Sequence, residues 1–183
     1  MEYQEALSKA LKIQSEISPL CERAEIAGSV RREKPTDIKD IELVVIPKLT
    51  TTTDMFGSPS GIESQLESGL AYLMGFWRAT SVKWGEKYKQ IIFPDATKLD
   101  LFIVTAETWG YQFAIRTGPA DYSHWLVTPR RHGGALPSYL KVKDARVWNG
   151  EKALDTSTEE KFFLALDIST VPHPSERVAK WRS

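Results

Sequence analysis

Two acids at i and i+2 inside an apolar run, Asp40-Ile41-Glu42-Leu43-Val44-Val45, constrain this chain more than any other feature. A strand alternates its side chains, so Asp40 and Glu42 project from one face while Ile41 and Leu43 occupy the other. Neighbouring carboxylates repel, and burying them costs more still unless a cation lies between them. A hard divalent ion is the natural partner: Mg²⁺ takes oxygen ligands, commonly one or two carboxylates with substrate phosphates and water. Just upstream, Gly28-Ser29-Val30-Arg31-Arg32 is a small-residue turn whose amides and Ser29 hydroxyl can hold a phosphate. Phosphate turn and paired acids together imply phosphoryl or nucleotidyl transfer.

Periodicity places the remaining elements. Tyr3, Ala6, Leu7, Ala10, Ile13 and Ile17 recur at helical spacing, with Pro19 as a stop, and predict a helix over 2–17. A short strand over 24–27 delivers the chain to Gly28; residues 31–34 read as one helical turn ended by Pro35, and 40–47 as a strand. Residues 50–61, rich in Thr, Ser, Gly and Pro, read as a polar loop, and Ile62, Leu66, Leu70, Leu73 and Trp77 mark a second helix. Val82, Trp84 and residues 87–93 read as two strands around Gly85-Glu86, with a further strand over 98–104 after Pro94-Asp95. Helices are expected over 107–116 and 120–131, a hairpin over 140–148, and a helix over 158–166 capped by Ser157 with Glu160 three residues on; the tail beyond Pro172 should be extended.

Asp100 is the lone acid of the strand Lys98-Leu99-Asp100-Leu101-Phe102-Ile103-Val104. An unpaired buried carboxylate is costly, so it needs either a salt bridge, to Lys98 or an arginine, or a metal shared with Asp40 and Glu42. The second reading is preferred because all three acids interrupt core-type strands.

With Lys plus Arg and Asp plus Glu at 24 each, net charge gives no reason to expect a polyanionic partner. Local distribution says more: Arg78, Lys83, Lys87, Lys89 and Lys98 face only Glu86 and Asp95, and Arg130, Arg131, Lys141, Lys143, Arg146 and Lys152 face only Asp144 and Glu151. Such runs are most often solvated faces, yet they also suit a nucleic-acid backbone. A single cysteine, Cys21, excludes an intrachain disulfide and fits a reducing compartment. The acidic, polar start is unlike a signal peptide, and no apolar run reaches the roughly 18 residues of a membrane span, so a cytoplasmic location is expected. His124, His132 and His173 lack zinc-like spacing.

In order and spacing these motifs resemble the polymerase-beta-like nucleotidyltransferases, specifically the catalytic palm and thumb of family X DNA polymerases. There a Gly-Ser-x-Arg-Arg turn precedes a strand with two metal carboxylates, as Gly28-Ser29-Val30-Arg31-Arg32 precedes Asp40-Ile41-Glu42; the third acid follows as base-apolar-Asp, matched by Lys98-Leu99-Asp100. Arg116-Thr117-Gly118-Pro119 stands where the family has an aromatic-Thr-Gly-Ser turn beside the nucleotide, and a helix, a hairpin and a Ser/Thr-Glu-Glu helix follow. Nearly the whole chain is covered. Glu42 is one methylene longer than the usual aspartate, Ile115-Arg116 replaces the aromatic pair that excludes ribonucleotides, and Pro119 follows Gly118 where relatives hold a cis peptide, so cis is expected here. The lyase and helix-hairpin-helix segments of larger relatives are not expected in these 183 residues.

The resemblance implies an α+β nucleotidyltransferase fold: a palm over 1–106, with a mixed sheet flanked by helices, and a thumb-like helical and hairpin lobe over 107–183. It implies attack of a primer 3′-hydroxyl on the α-phosphate of a dNTP or NTP with release of pyrophosphate, as in filling gaps during DNA repair; the chain is expected to be a monomer. Asp40, Glu42 and Asp100 would be the catalytic acids and ligands of two Mg²⁺ ions, with Mn²⁺ as a substitute. Gly28, Ser29, Arg32, Lys39, Thr117, Gly118 and Asp121 would contact the nucleotide; Lys83, Lys87, Lys89, Lys98, Arg130 and Arg131 would contact a primer, template or other nucleic-acid acceptor. Tyr122, Ser123 and His124 are secondary candidates for base or template, and Trp125 and Trp148 for stacking. Alternatives are untemplated transfer to a tRNA or other end, and an inactive palm that only binds.

Overall fold

The computed structural model describes residues 1–181. Its first helix, α1 (Tyr3–Ile17), buries Ala6, Ala10, Ile13 and Ile17, the stripe its periodicity demands. Pro19 sits in the 3₁₀ turn that ends it, and β1 (Cys21–Ile26) follows, with the Cys21 thiol buried and its pKa pushed up to about 11 by desolvation. The next helical turn, α2 (Gly28–Arg31), begins at Gly28 and ends at Arg31, so it lies earlier than the sequence pattern suggests. β2 (Asp40–Pro47) has the expected bounds.

Residues read as a polar loop instead form a hairpin, β3 (Leu49–Thr53) and β4 (Pro59–Ser64). Four consecutive β-branched threonines favour extended backbone, and the Asp54 carboxylate closes the turn by accepting from the Phe56 and Ser58 amides. Ile62 therefore lies exposed on β4, and α3 (Gln65–Trp77) starts after it. β5 (Thr80–Trp84), β6 (Tyr88–Ile92) and β7 (Lys98–Ile103) complete the principal sheet, whose order is β1-β2-β7-β6-β5. Only β2 and β7 run parallel; every other neighbouring pair is antiparallel. The molecule is thus α+β with a mixed sheet.

Alternation divides this sheet into two faces. Ile41, Leu43, Val45, Ile91, Leu99 and Leu101 pack against α1 and α3 in the largest core. On the opposite face Val44 and Val104 meet Trp109 and Phe113 of α4 (Trp109–Thr117), in a smaller core that stops short of Asp40 and Glu42. The far half of α4 enters a third core: Ala114 joins Tyr122 and Leu126 of α5 (Ala120–Val127), Leu140 of β8 (Leu140–Lys143), Val147 of β9 (Arg146–Asn149), and Phe162 and Phe163 of α6 (Glu159–Ala165). A short β10 (Lys152–Ala153) extends that hairpin into three strands.

Three details differ from the sequence reading. α5 stops at Val127 because Pro129 drives Thr128 into extended backbone, and Arg130–His132 form a separate 3₁₀ turn. The cap of α6 is Thr158, whose hydroxyl accepts from the Lys161 amide at 3.3 Å, in place of Ser157. Gly118–Pro119 is trans, there being no cis peptide among the described residues, and Gly118 takes the extended conformation usual before proline. No helix among the described residues is long and apolar enough to cross a membrane.

The tail is more structured than expected. A 3₁₀ turn at Pro174–Glu176 inserts Arg177, fully buried, beside Glu159 at 2.9 Å, while the other Glu159 oxygen receives Arg31 at 2.6 Å. One carboxylate thus joins α2, α6 and the tail. Removing the shared partner of two half-buried or buried guanidiniums leaves uncompensated charge, so Glu159→Ala should cost about 3–5 kcal/mol in urea unfolding. A loss below about 1 kcal/mol would show that the triad contributes little.

Candidate functional site

The site lies on the same sheet face as α4, on the part of it that α4 leaves uncovered. The parallel ladder sets Asp40 opposite Lys98 and Glu42 opposite Asp100, so the three acids share that face on adjacent strands. On the other side of β7, Gln90 stands opposite Asp100, and Tyr88 opposite Phe102. Asp100 accepts from the Tyr88 hydroxyl at 2.6 Å and the Gln90 amide at 2.9 Å. These neutral donors, rather than a salt bridge, answer the question of how a carboxylate survives in that strand.

Electrostatics mark the cluster. Burial, then the neighbouring Asp40, raises the Glu42 pKa to about 7, with Asp100 adding to the rise and Arg32 and Arg116 opposing it. Burial and Asp100 raise Asp40 above its usual value, against the pull of Lys98 and Arg32. Desolvation and the bond to Asp100 raise the Tyr88 phenol. Each shift says that protons, or another cation, are wanted here.

The turn touches the acids directly. Gly28 has φ +59° and lies so close to Glu42 that a Cβ would sit 1.5 Å from its Oε2, so both the left-handed backbone and the missing side chain are required. The Ala27 amide also donates to the Glu42 carbonyl at 2.8 Å. Within α2 the first-turn amides of Gly28, Ser29 and Val30 have no acceptor inside the helix. Arg32 donates to the Ser29 hydroxyl at 2.9 Å and to the Thr117 carbonyl at 2.6 Å, and Arg31 donates to the Thr117 hydroxyl at 2.6 Å. The structure thus brings Gly28, Ser29, Arg32 and Thr117 to the acids, and Gly118 lies next in the chain. Ser123 fixes that corner by donating to the Ile115 carbonyl at 2.7 Å.

Other residues singled out from sequence lie elsewhere or are already engaged. Lys39 is exposed just before β2. Asp121 is exposed and accepts from the Trp181 indole at 3.0 Å, and His124 packs edge-on against that ring. Tyr122 and Trp125 pack in the third core, and Trp148 donates to the Lys143 carbonyl within its hairpin, so these aromatics serve packing. Lys89 is corrected outright as a nucleic-acid contact: it is 1% exposed, paired with Glu67 at 2.8 Å and 4.0 Å from the Trp84 ring centroid. Arg130 is held by Asp167 and the Leu166 and Ala135 carbonyls. Lys83, Lys87, Lys98 and Arg131 are exposed, with Lys83 5.5 Å from the Tyr88 ring centroid.

Sequence reading missed Tyr88 and Gln90, although alternation in β6 puts both on the face of Asp100. It also missed the Arg31–Glu159–Arg177 connection, whose partners are too far apart in the chain to be read locally. Among the described residues, no group of three or more His, Cys, Asp or Glu side chains is arranged to hold a metal ion. No protein-family model and no curated protein sequence matches the chain.

A carboxyl whose native pKa exceeds its unfolded value binds a proton in the native state that the unfolded chain has already lost. Stability from Glu42 is therefore full below its usual 4.5 and is lost as pH rises to about 7. Glu42→Gln should flatten that part of the melting-temperature profile in chelator and raise the melting temperature at pH 8. Parallel profiles for wild type and variant would show that Glu42 ionises normally.

Proposed function

We propose that this chain is a metal-dependent nucleotidyltransferase with the palm and thumb of the polymerase-beta-like superfamily. The reaction is addition of a nucleotide from a triphosphate to a nucleic-acid 3′-hydroxyl with release of pyrophosphate. The observation that carries it is the contact between the Gly28 turn and Glu42, which puts phosphate-binding groups against three carboxylates on one sheet face.

The donors fit a hard cation in kind. Asp40, Glu42 and Asp100 offer only oxygen, and the first two hold protons more tightly than usual because burial and neighbouring carboxylates disfavour their charge. A bound divalent ion supplies Lewis-acid activation and relief of that repulsion. The chain's own residues do the rest. Ser29, Arg32 and the free α2 amides receive phosphate oxygens, Thr117 and Gly118 bound the nucleoside, and Tyr88 and Gln90 keep Asp100 oriented. Lys83, Lys87 and Lys98 are exposed, and Lys98 stands beside Asp40 in the β2–β7 ladder, so these bases suit an acceptor backbone, which makes binding salt-dependent.

The test is incorporation of each dNTP and NTP, with Mg²⁺ or Mn²⁺, on gapped DNA duplex, single-stranded DNA and tRNA. Asp100→Ala and Asp40→Ala should melt normally yet lose at least about a hundredfold in rate, because a lost metal carboxylate removes several kcal/mol of transition-state stabilisation. Choice of nucleotide by the template base would establish a gap-filling polymerase, and addition regardless of template a terminal transferase. No addition to any acceptor, or full activity in Asp100→Ala, would end the transferase reading.

A further inference from the structure

Four arginines surround the junction between α2, α4 and the acidic face, and three are tied down. Arg31 is held by Glu159 and Thr117, Arg32 by Ser29 and the Thr117 carbonyl, and Arg177 by Glu159 and backbone carbonyls. Arg116 has none of these ties. It sits in the last turn of α4, half-buried, with its buried Nε lacking any hydrogen-bond partner among the described residues. Its guanidinium carbon lies 4.0 Å from the centroid of the Phe102 ring, which stacks in turn on Tyr88 at 5.3 Å, the residue that holds Asp100.

This is an unusual disposition of a planar cation. A guanidinium presents donors in a rigid fork, and leaving a buried donor without an acceptor costs free energy. The contact with the Phe102 ring restrains the guanidinium and recovers part of that cost, but cannot satisfy an N–H. Arg116 also acts electrostatically on Glu42 and Tyr88, so it borders the acidic cluster without pairing with it. A half-buried guanidinium that has no hydrogen-bond or ion-pair partner among the described residues and borders carboxylates it does not bind is suited to an oxyanion that arrives from outside.

We propose that Arg116 is a substrate-binding residue of this site, donating to a phosphate oxygen of the bound nucleoside triphosphate. The assignment rests on the nucleotidyltransferase reading and extends it to a residue that the ligand-free electrostatics alone would leave as a counter-charge. The triphosphate then meets Ser29 of α2 and Arg32 just after it on one side and Arg116 from α4 on the other, so nucleotide binding joins the two elements.

The experiment is calorimetric titration, with Mg²⁺ and no acceptor, of inorganic tripolyphosphate, ATP and dATP into wild type, Arg116→Gln and Arg116→Lys, each checked for an unchanged melting curve. One charge-assisted contact predicts that Arg116→Gln loses roughly tenfold or more in affinity for all three ligands, with Arg116→Lys between it and wild type. Equal tripolyphosphate affinity in wild type and Arg116→Gln overturns the proposal while leaving the nucleotidyltransferase reading intact. A loss confined to ATP makes Arg116 a contact of the ribose 2′-oxygen and likewise overturns the phosphate assignment. If wild type binds none of the three, the nucleotide reading itself falls with it. Should Arg116→Gln not fold, Arg116→Lys decides, since a phosphate contact requires it to weaken tripolyphosphate binding by several-fold.

Discussion

The parallel pairing of β2 with β7 is the constraint on which this molecule depends. It is the only parallel junction in the principal sheet, and its register sets Glu42 opposite Asp100. A slip by one residue would turn Asp40 and Glu42 into the core that Ile41 and Leu43 now fill, burying two charges and exposing two isoleucine-sized side chains. The apolar face therefore enforces the acidic one. Burying a large aliphatic side chain stabilises by roughly 1.5–3 kcal/mol, and the strand residues Ile41, Leu43, Val45, Leu99 and Leu101 are all fully buried, enough together to hold the carboxylates where they repel.

Positioning of the third core follows from a different kind of interaction. α4 begins against the sheet through Trp109 and Phe113 and ends in the third core through Ala114, so one short helix belongs to both. Gly110 makes the close approach possible: a Cβ there would fall 2.0 Å from the Thr158 carbonyl oxygen, just before α6. α6 then presents Glu159 to Arg31, the last residue of α2 and the neighbour of Arg32. Arg31 also stacks 3.8 Å from the Phe113 ring centroid, so charge and aromatic packing act on the same guanidinium. Buried ion pairs contribute little net stability against an apolar replacement, but they fix one arrangement well. Here the arrangement fixed is that of Thr117 against α2.

Much of the fold was legible because it is local. The helical stripe of α1, the acidic alternation of β2 and the Gly85 and Pro94 turns each lie within a few residues, where periodicity and turn chemistry speak directly. The polar segment around Thr51 misled because threonine is both a loop residue and a β-former, and only pairing with residues 59–64 selects the strand. Lys89 misled for a related reason: its charge read as surface, whereas the inward alternation of β6 carries it under Trp84 to Glu67. The site was half legible. Gly28, Ser29 and the three acids follow from spacing, while Tyr88, Gln90 and Glu159 enter through register and tertiary contact.

Placing unlike demands on one sheet face explains why the neighbourhood of the acids is so polar yet so ordered. Asp100 raises the cost of charge on Asp40 and Glu42, and Asp40 that on Glu42, yet among the described residues no arginine forms an ion pair with these acids: Arg32 donates to Ser29 and Thr117, and Arg31 and Arg177 to Glu159. Had stability alone been served, a guanidinium forked onto Glu42 or Asp100 would have satisfied both partners. Neutral donors on Asp100 and a shifted equilibrium at Glu42 leave these acids without a guanidinium partner, as the proposed cation site requires. Stability forgone locally, at residues whose strands are anchored by a deep core on the opposite face, is the expected signature of a site built to bind rather than to hold the fold together.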